Sequence, residues 1–445
     1  MWDLEKFGEN LAILDDSGSS VTYSQLSEAC NKLSFNIGNR CLIVILCRNS
    51  ISSITGYVAC INNRVVPLLL NADLDYSAIS KLIEDYCPKY VWAPRDYREI
   101  TDFKEVYTDG SYTLLKNGRF EEYPLFEELA LLITTSGSTG SPKFVRQSYE
   151  NIKSNTESII DYLSIVPSDR AITTLPMNYT YGLSIINTHL YAGATLLVTD
   201  LTLMQKDFWT FLKEQNATTF GGVPYTYEML HRLRFERMNL PSLRYLTQAG
   251  GKLSIELQKE YAAYSLKTGI PFVIMYGQCE ATARMSYLPP NQISTHLGSI
   301  GVPIPGGQFK IISTEGVEIT SAGTPGELEY LGHNVTLGYA ISKNDLSKGD
   351  ERNGVLLTGD IAQFDEEGFY YIVGRMKRFL KVYGNRVNLD ELEQILKNRF
   401  VGIDCAISGQ DDHIVIFITG DETPSELVNY LAHTTGLNRV SFKVK

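Results

Sequence analysis

The 445-residue chain lacks any run of about 18 apolar residues, the length a membrane-crossing helix requires, so no membrane span is expected. Basic charge is scarce. Forty Lys and Arg stand against 51 Asp and Glu, a formal net charge of −11. No long basic tract interrupts this balance, which argues against nucleic-acid binding through a phosphate-neutralising face. Cysteine is sparse, with seven residues scattered from Cys30 to Cys405 and neither a C-x-x-C pair nor a zinc spacing. Cys41 and Cys47 flank an apolar run and read as small core residues. Unpaired thiols fit a reducing cytoplasm. The opening MWDLEKFGEN holds acids and no apolar stretch, so it does not read as a secretory signal. A cytoplasmic protein is expected.

The length exceeds one ordinary core, and two or three domains are expected. Short apolar runs at 41–47, 65–70, 90–93, 129–135, 194–199, 218–223, 243–247 and 272–276 read as strands. Amphipathic segments such as 24–35, 76–86 and 208–215 read as helices between them. This alternation predicts an α/β fold, a largely parallel sheet covered by helices. From 309 to about 374 the texture changes to short strands and turns, a β-rich subdomain. Polar residues then mark a joint at 375–377. Beyond it, a helix with Leu392, Ile395 and Leu396 on one face, strands at 404–408 and 413–419, a helix at 425–432 and a last strand predict a small α+β domain over 378–445. The large domain is accordingly 1–374.

The most informative segment is LLITTSGSTGSPK, Leu131 to Lys143. An apolar strand breaks into Thr135, Ser136, Gly137, Ser138, Thr139 and Gly140, then reaches a lysine. Glycines let backbone amides approach a ligand, hydroxyls add donors, and Lys143 adds charge, a combination suited to phosphate. By composition alone, such a loop is an ordinary surface turn. It is neither a Walker A sequence nor G-x-G-x-x-G.

This segment resembles the phosphate loop of the adenylate-forming superfamily, which includes acyl-CoA synthetases, peptide-synthetase adenylation domains and luciferases. Further similar segments follow in the same order: Leu175 to Gly182, Gln248 to Gly251, Tyr276 to Glu280 (YGQCE), Gly326 to Tyr339, Thr358 to Asp360, Gly374-Arg375, and Lys381 to Glu393. The resemblance implies ATP and Mg²⁺ as cofactors and a small carboxylic acid as substrate. It implies CoA or carrier-protein phosphopantetheine as the thiol acceptor. It places catalytic roles on Lys143, Glu280 and Lys381, with Glu280 as the metal ligand, although an acid there also suits a helix N-terminus. Residues 135–140 and Lys143 would hold phosphate. Gly250, Gly251, Tyr276, Gly277, Gln278, Cys279, Asp360 and Arg375 would hold the adenylate. Asp360 and Arg375 are its ribose pair, and Asp360 otherwise reads as a turn residue. Tyr179, Thr180, Gly221 and Gly222 would line the acyl pocket, and Lys377 would be the hinge of a mobile small domain.

Two departures matter. Cys279 stands where the family usually carries threonine, and a thiol is the weaker hydrogen-bond partner. Tyr179-Thr180 stands where amino-acid-activating members usually carry Phe-Asp. No charge is then present for an α-ammonium, and burying one unpaired is costly. An acid without an α-amino group is expected. The family's closing P-x-x-x-x-G-K loop does not follow Lys445, so either the sequence stops short of it or the protein does without it. The reaction implied is acyl-AMP formation with release of pyrophosphate, then acyl transfer to a thiol. The alternatives are an amino-acid adenylation enzyme, a degenerate nucleotide-binding protein, or a kinase-like phosphotransferase, which the loop does not match.

Overall fold

A computed structural model describes the chain apart from residues 98, 101, 135–142, 383–384, 401–402, 411, 420–422 and 436. Two compact units divide it, residues 1–308 with 330–356, and residues 309–329 with 357–445. The first unit holds two large sheets among the described residues. In the nine-stranded sheet, Phe272–Tyr276, Tyr245–Gln248, Thr219–Gly222, Arg170–Ile172, Thr195–Val198 and Leu11–Asp15 lie side by side and parallel. In the eight-stranded sheet, Leu129–Thr134, Val66–Asn71, Leu42–Cys47 and Tyr90–Pro94 form the parallel centre. The α/β fold is the one the apolar runs predict.

The burial of these strands explains their composition. All six residues of Leu42–Cys47 are buried, so the strand reads as an unbroken apolar run rather than an alternation. The helices Ile51–Asn62 and Thr180–Ala192 are buried on nearly every side. One core cluster joins their residues Val58 and Ile186 to Ile13 of the first sheet and Ile45 of the second. Local signals start the flanking helices. Thr22 and Gln25 form a reciprocal capping box on Tyr23–Ile37, as Ser148 and Asn151 do on Tyr149–Leu163.

The second unit carries a five-stranded sheet that includes Val355–Phe364 paired with Tyr370–Arg375. It also carries the α+β segment, where Asp404–Gln410, His413–Thr419 and Phe442–Val444 pair as a sheet beside the helices Leu389–Arg399 and Pro424–Thr435. Leu392, Leu396, Ile414, Ile416, Leu427 and Leu431 form its core. Among the described residues no helix is long and apolar enough to cross a membrane.

Candidate active site

Strand Leu129–Thr134 returns antiparallel as Phe144–Ser148, with Thr134 opposite Phe144. The residues between them in sequence are those of the expected phosphate loop. Thr135, Ser136, Gly137, Ser138, Thr139 and Gly140 lie outside the described residues. Lys143, the described residue just before the return strand, places its Nζ 3.8 Å from the centroid of the Tyr339 ring. Register fixes this neighbour. Tyr339 lies on Gly338–Ala340, which pairs antiparallel with Phe144–Ser148 and sets Tyr339 opposite Val145.

Two more groups converge on Tyr339. Its hydroxyl donates to Oε1 of Glu280 at 2.6 Å. The Arg352 guanidinium packs on the same ring, with Cζ 4.7 Å from the centroid. Arg352 also donates to the Glu280 main-chain carbonyl at 3.1 Å and to the Thr336 hydroxyl at 2.5 Å. That hydroxyl in turn donates to the same carbonyl at 3.0 Å. Burial, helped by the bond to Glu280, pushes the Tyr339 phenol up to about 12, so it remains a donor at neutral pH. Arg146, fully buried on the return strand, anchors the segment that brings these groups in. It donates to the carbonyls of Leu337 at 3.1 Å and Gly349 at 3.2 Å and pairs with Glu351. Two cations and one carboxylate thus share a single aromatic ring.

Tyr339, Arg352 and Thr336 carry no site role in the sequence reading. The available signal is Gly338-Tyr339, which lies inside a family-like segment. No cluster of three or more His, Cys, Asp or Glu suited to a metal occurs among the described residues. A Mg²⁺ ion here would take a carboxylate oxygen of Glu280 and otherwise depend on nucleotide phosphates, its ordinary manner in such sites.

The residues expected at the acyl pocket and the adenylate meet one another. Cys279 Sγ lies 3.3 Å from Thr180 Oγ1, so the thiol at the threonine position has a hydroxyl partner. Tyr179 precedes helix Thr180–Ala192, and its hydroxyl occupies space beside Gly250, where a Cβ would come within 2.5 Å of it. Gly250 has φ +82°, a second reason for glycine. A Cβ on Gly251 would lie 3.0 Å from Pro224. Gln278 donates to the Tyr276 hydroxyl at 3.2 Å. Gly277 faces the backbone, since a Cβ there would lie 1.7 Å from the Ala283 carbonyl. Gly221 packs against Tyr181, Ile185 and Thr247, and Gly222 against Thr226 and Tyr227.

In the second unit, Asp360 and Arg375 lie opposite each other on paired strands and form an ion pair of 3.0 Å. The Asp360 side chain is 2% exposed and the Arg375 side chain 66% exposed. Lys377 lies in the short turn of helix Met376–Arg378 and Lys381 on the strand Phe379–Val382. The side chains of both lie outside the described residues.

A family model for AMP-binding enzymes matches residues 2–340. The chain belongs to this AMP-binding enzyme family. Among relatives of the family, a 2-succinylbenzoate–CoA ligase of Geobacillus sp. (strain WCH70) is 27% identical over 419 residues, covering 91% of this chain and 82% of its own length. A long-chain-fatty-acid–CoA ligase of Escherichia coli O157:H7 is 32% identical over 281 residues, covering 61% of this chain and 48% of its own length. An o-succinylbenzoate CoA synthetase from Bacillus subtilis, solved with AMP, shares the fold with a TM-score of 0.80 at 23% identity, covering 99% of this chain and 94% of its own. Within the family the chain is acyl-CoA synthetase-like.

Proposed function

We propose that the chain activates a small carboxylic acid at the cluster of Lys143, Tyr339, Arg352 and Glu280. The activity is that of an AMP-forming acid–thiol ligase. A carboxylate oxygen attacks the α-phosphorus of ATP, the bond to pyrophosphate breaks, and acyl-AMP forms. A thiol sulfur then attacks the acyl carbon and AMP leaves. The observation that carries the reading is the placement of two cations on the Tyr339 ring while its hydroxyl holds Glu280. Lys143 and Arg352 supply positive charge to a polyphosphate in a protein whose net charge is −11. The protonated Tyr339 orients Glu280, the residue that would hold Mg²⁺. Mg²⁺, when bound, neutralises phosphate charge.

The finer assignments are part of the same reading. CoA serves as the thiol, in keeping with the CoA ligases among the relatives. Asp360 and Arg375 take the ribose, and Lys381 joins the reacting groups. Residues 1–374 and 378–445 act as domains about the 375–377 joint, with Lys377 as pivot. Tyr179, Thr180, Gly221 and Gly222 bring no carboxylate to the acyl side, which favours an acid without an α-amino group. Seven free thiols suit the cytoplasm.

Exchange of labelled pyrophosphate into ATP, run across a panel of carboxylic acids, tests the reading. Exchange that depends on an added acid is expected. ATP binding with no exchange for any acid, or ADP as the product, would overturn it.

A further inference from the structure

Arg284 follows Glu280 by four residues, and its guanidinium lies among Tyr162, Tyr181, Ser184 and Met275. It is 2% exposed. No described carboxylate pairs with it, and its neighbours are neutral. Nη2 donates to the Ser184 hydroxyl at 2.9 Å. Nη1 reaches the Tyr162 hydroxyl at 3.5 Å and contacts Met275 Sδ. Cζ lies 4.2 Å from the Tyr181 ring centroid. Nε has no partner. Guanidinium groups stay charged in proteins and offer five donors, so one good acceptor leaves this one poorly satisfied. A thioether accepts weakly, and stacking on a tyrosine offsets only part of the desolvation cost.

Hydrogen bonds hold the backbone that carries this cation. The Arg284 carbonyl is held by Asn155 at 2.8 Å and Asn334 at 3.0 Å. Its guanidinium packs on Tyr181, whose hydroxyl abuts Gly221 of the expected acyl pocket. A small cavity of about 10 Å³ touches Arg284, Gly221, Thr247, Ile185 and His189. That volume holds about one water molecule, so a larger group enters only as a neighbouring side chain moves aside. Burial holds His189 neutral, its imidazole lowered to about 4, so it brings no second charge at neutral pH.

We propose that Arg284 is the specificity-determining residue for the acid and binds a second carboxylate on a short dicarboxylic substrate. The proposal rests on the acid-activation reading above. A guanidinium fork matches a carboxylate in two parallel hydrogen bonds, and that anion would satisfy the idle Nε together with one Nη. The unbranched Met275 side chain is the group best able to swing aside for it. A buried cation also repels the ammonium of an amino acid.

Pyrophosphate exchange with matched acids tests this: propanoate against malonate, butanoate against succinate, pentanoate against glutarate. The wild type should use at least one diacid with a kcat/KM about tenfold or more above its partner, and the excess should appear mainly in KM. Arg284→Met should collapse that ratio towards one, and Arg284→Lys should restore part of it. A preference for the monoacid in every pair would overturn the proposal, as would equal loss of both acids in a folded Met variant. Should the Met variant not fold, the monomethyl ester of the preferred diacid decides the matter in wild type, and use of ester and diacid alike would overturn it. Exchange with monoacids alone leaves the acid-activation reading standing, whereas exchange with no acid removes both.

Discussion

Tyr339 does two separable things: its ring receives Lys143 and Arg352, and its hydroxyl orients Glu280. Tyr339→Phe keeps the ring and removes one hydrogen bond to a charged group, worth about 1.5–3 kcal/mol. Acid-dependent exchange should fall roughly 10- to 100-fold, with a raised Mg²⁺ requirement, while Tyr339→Ala should fall further because the ring is lost as well. Equal rates in wild type and the Phe variant would remove the orienting role. The pairing also shows what a sequence reveals about a site. Lys143 and Glu280 sit in short motifs whose residue types state their chemistry. Tyr339 and Arg352 come from 59 and 72 residues beyond Glu280, and no local pattern ties them to it. Arg284 was more accessible to reading, as the one basic residue between Phe272 and Leu288.

Individual elements differ in how plainly they announce themselves. Helix Tyr76–Tyr86 has one apolar face, with Ile79, Leu82 and Tyr86 buried, and the expected bounds match it. The helix Ile51–Asn62 is buried from Ser52 to Ile61, so no amphipathic period marks it. The turn after strand Phe272–Tyr276 is different again, because sterics dictate it. Gly277→Ala would drive a methyl carbon to 1.7 Å from the Ala283 carbonyl, and backbone there must move. The variant should lose at least about 2 kcal/mol of stability in urea unfolding. Gly269, at φ +73° after helix Ile255–Thr268 and with open space around it, is the control. Gly269→Ala should lose only about 1 kcal/mol, the ordinary left-handed penalty. Similar losses in the two variants would contradict the close approach at Gly277.

At the scale of the molecule, the α/β class was legible from alternating runs, but the order of strands was not. Leu11–Asp15 pairs with Thr195–Val198, where the hydroxyl of Thr195 bonds a carbonyl 184 residues away. Such partners share no local signal. Buried titratable groups set the pH window of stability. Burial lowers His189 from 6.5 to about 4, so its contribution is fully present above pH 6.5 and is lost as pH falls towards 4. Between pH 7 and 4.5 this amounts to on the order of 2 kcal/mol, and His189→Gln should remove that part of the acid dependence. An unchanged acid slope in the variant would contradict the assignment. Burial raises Tyr162 and Tyr339 from 10 to about 12, so their contribution holds below pH 10 and is lost as pH rises towards 12. In the activation step the acid's own oxygen attacks the α-phosphorus of ATP. Mass spectrometry of the AMP formed from a supporting acid carrying ¹⁸O in its carboxylate, with CoA present, tests it most directly. One ¹⁸O should appear in the AMP phosphate; unlabelled AMP, or label in inorganic phosphate alongside ADP, would contradict it.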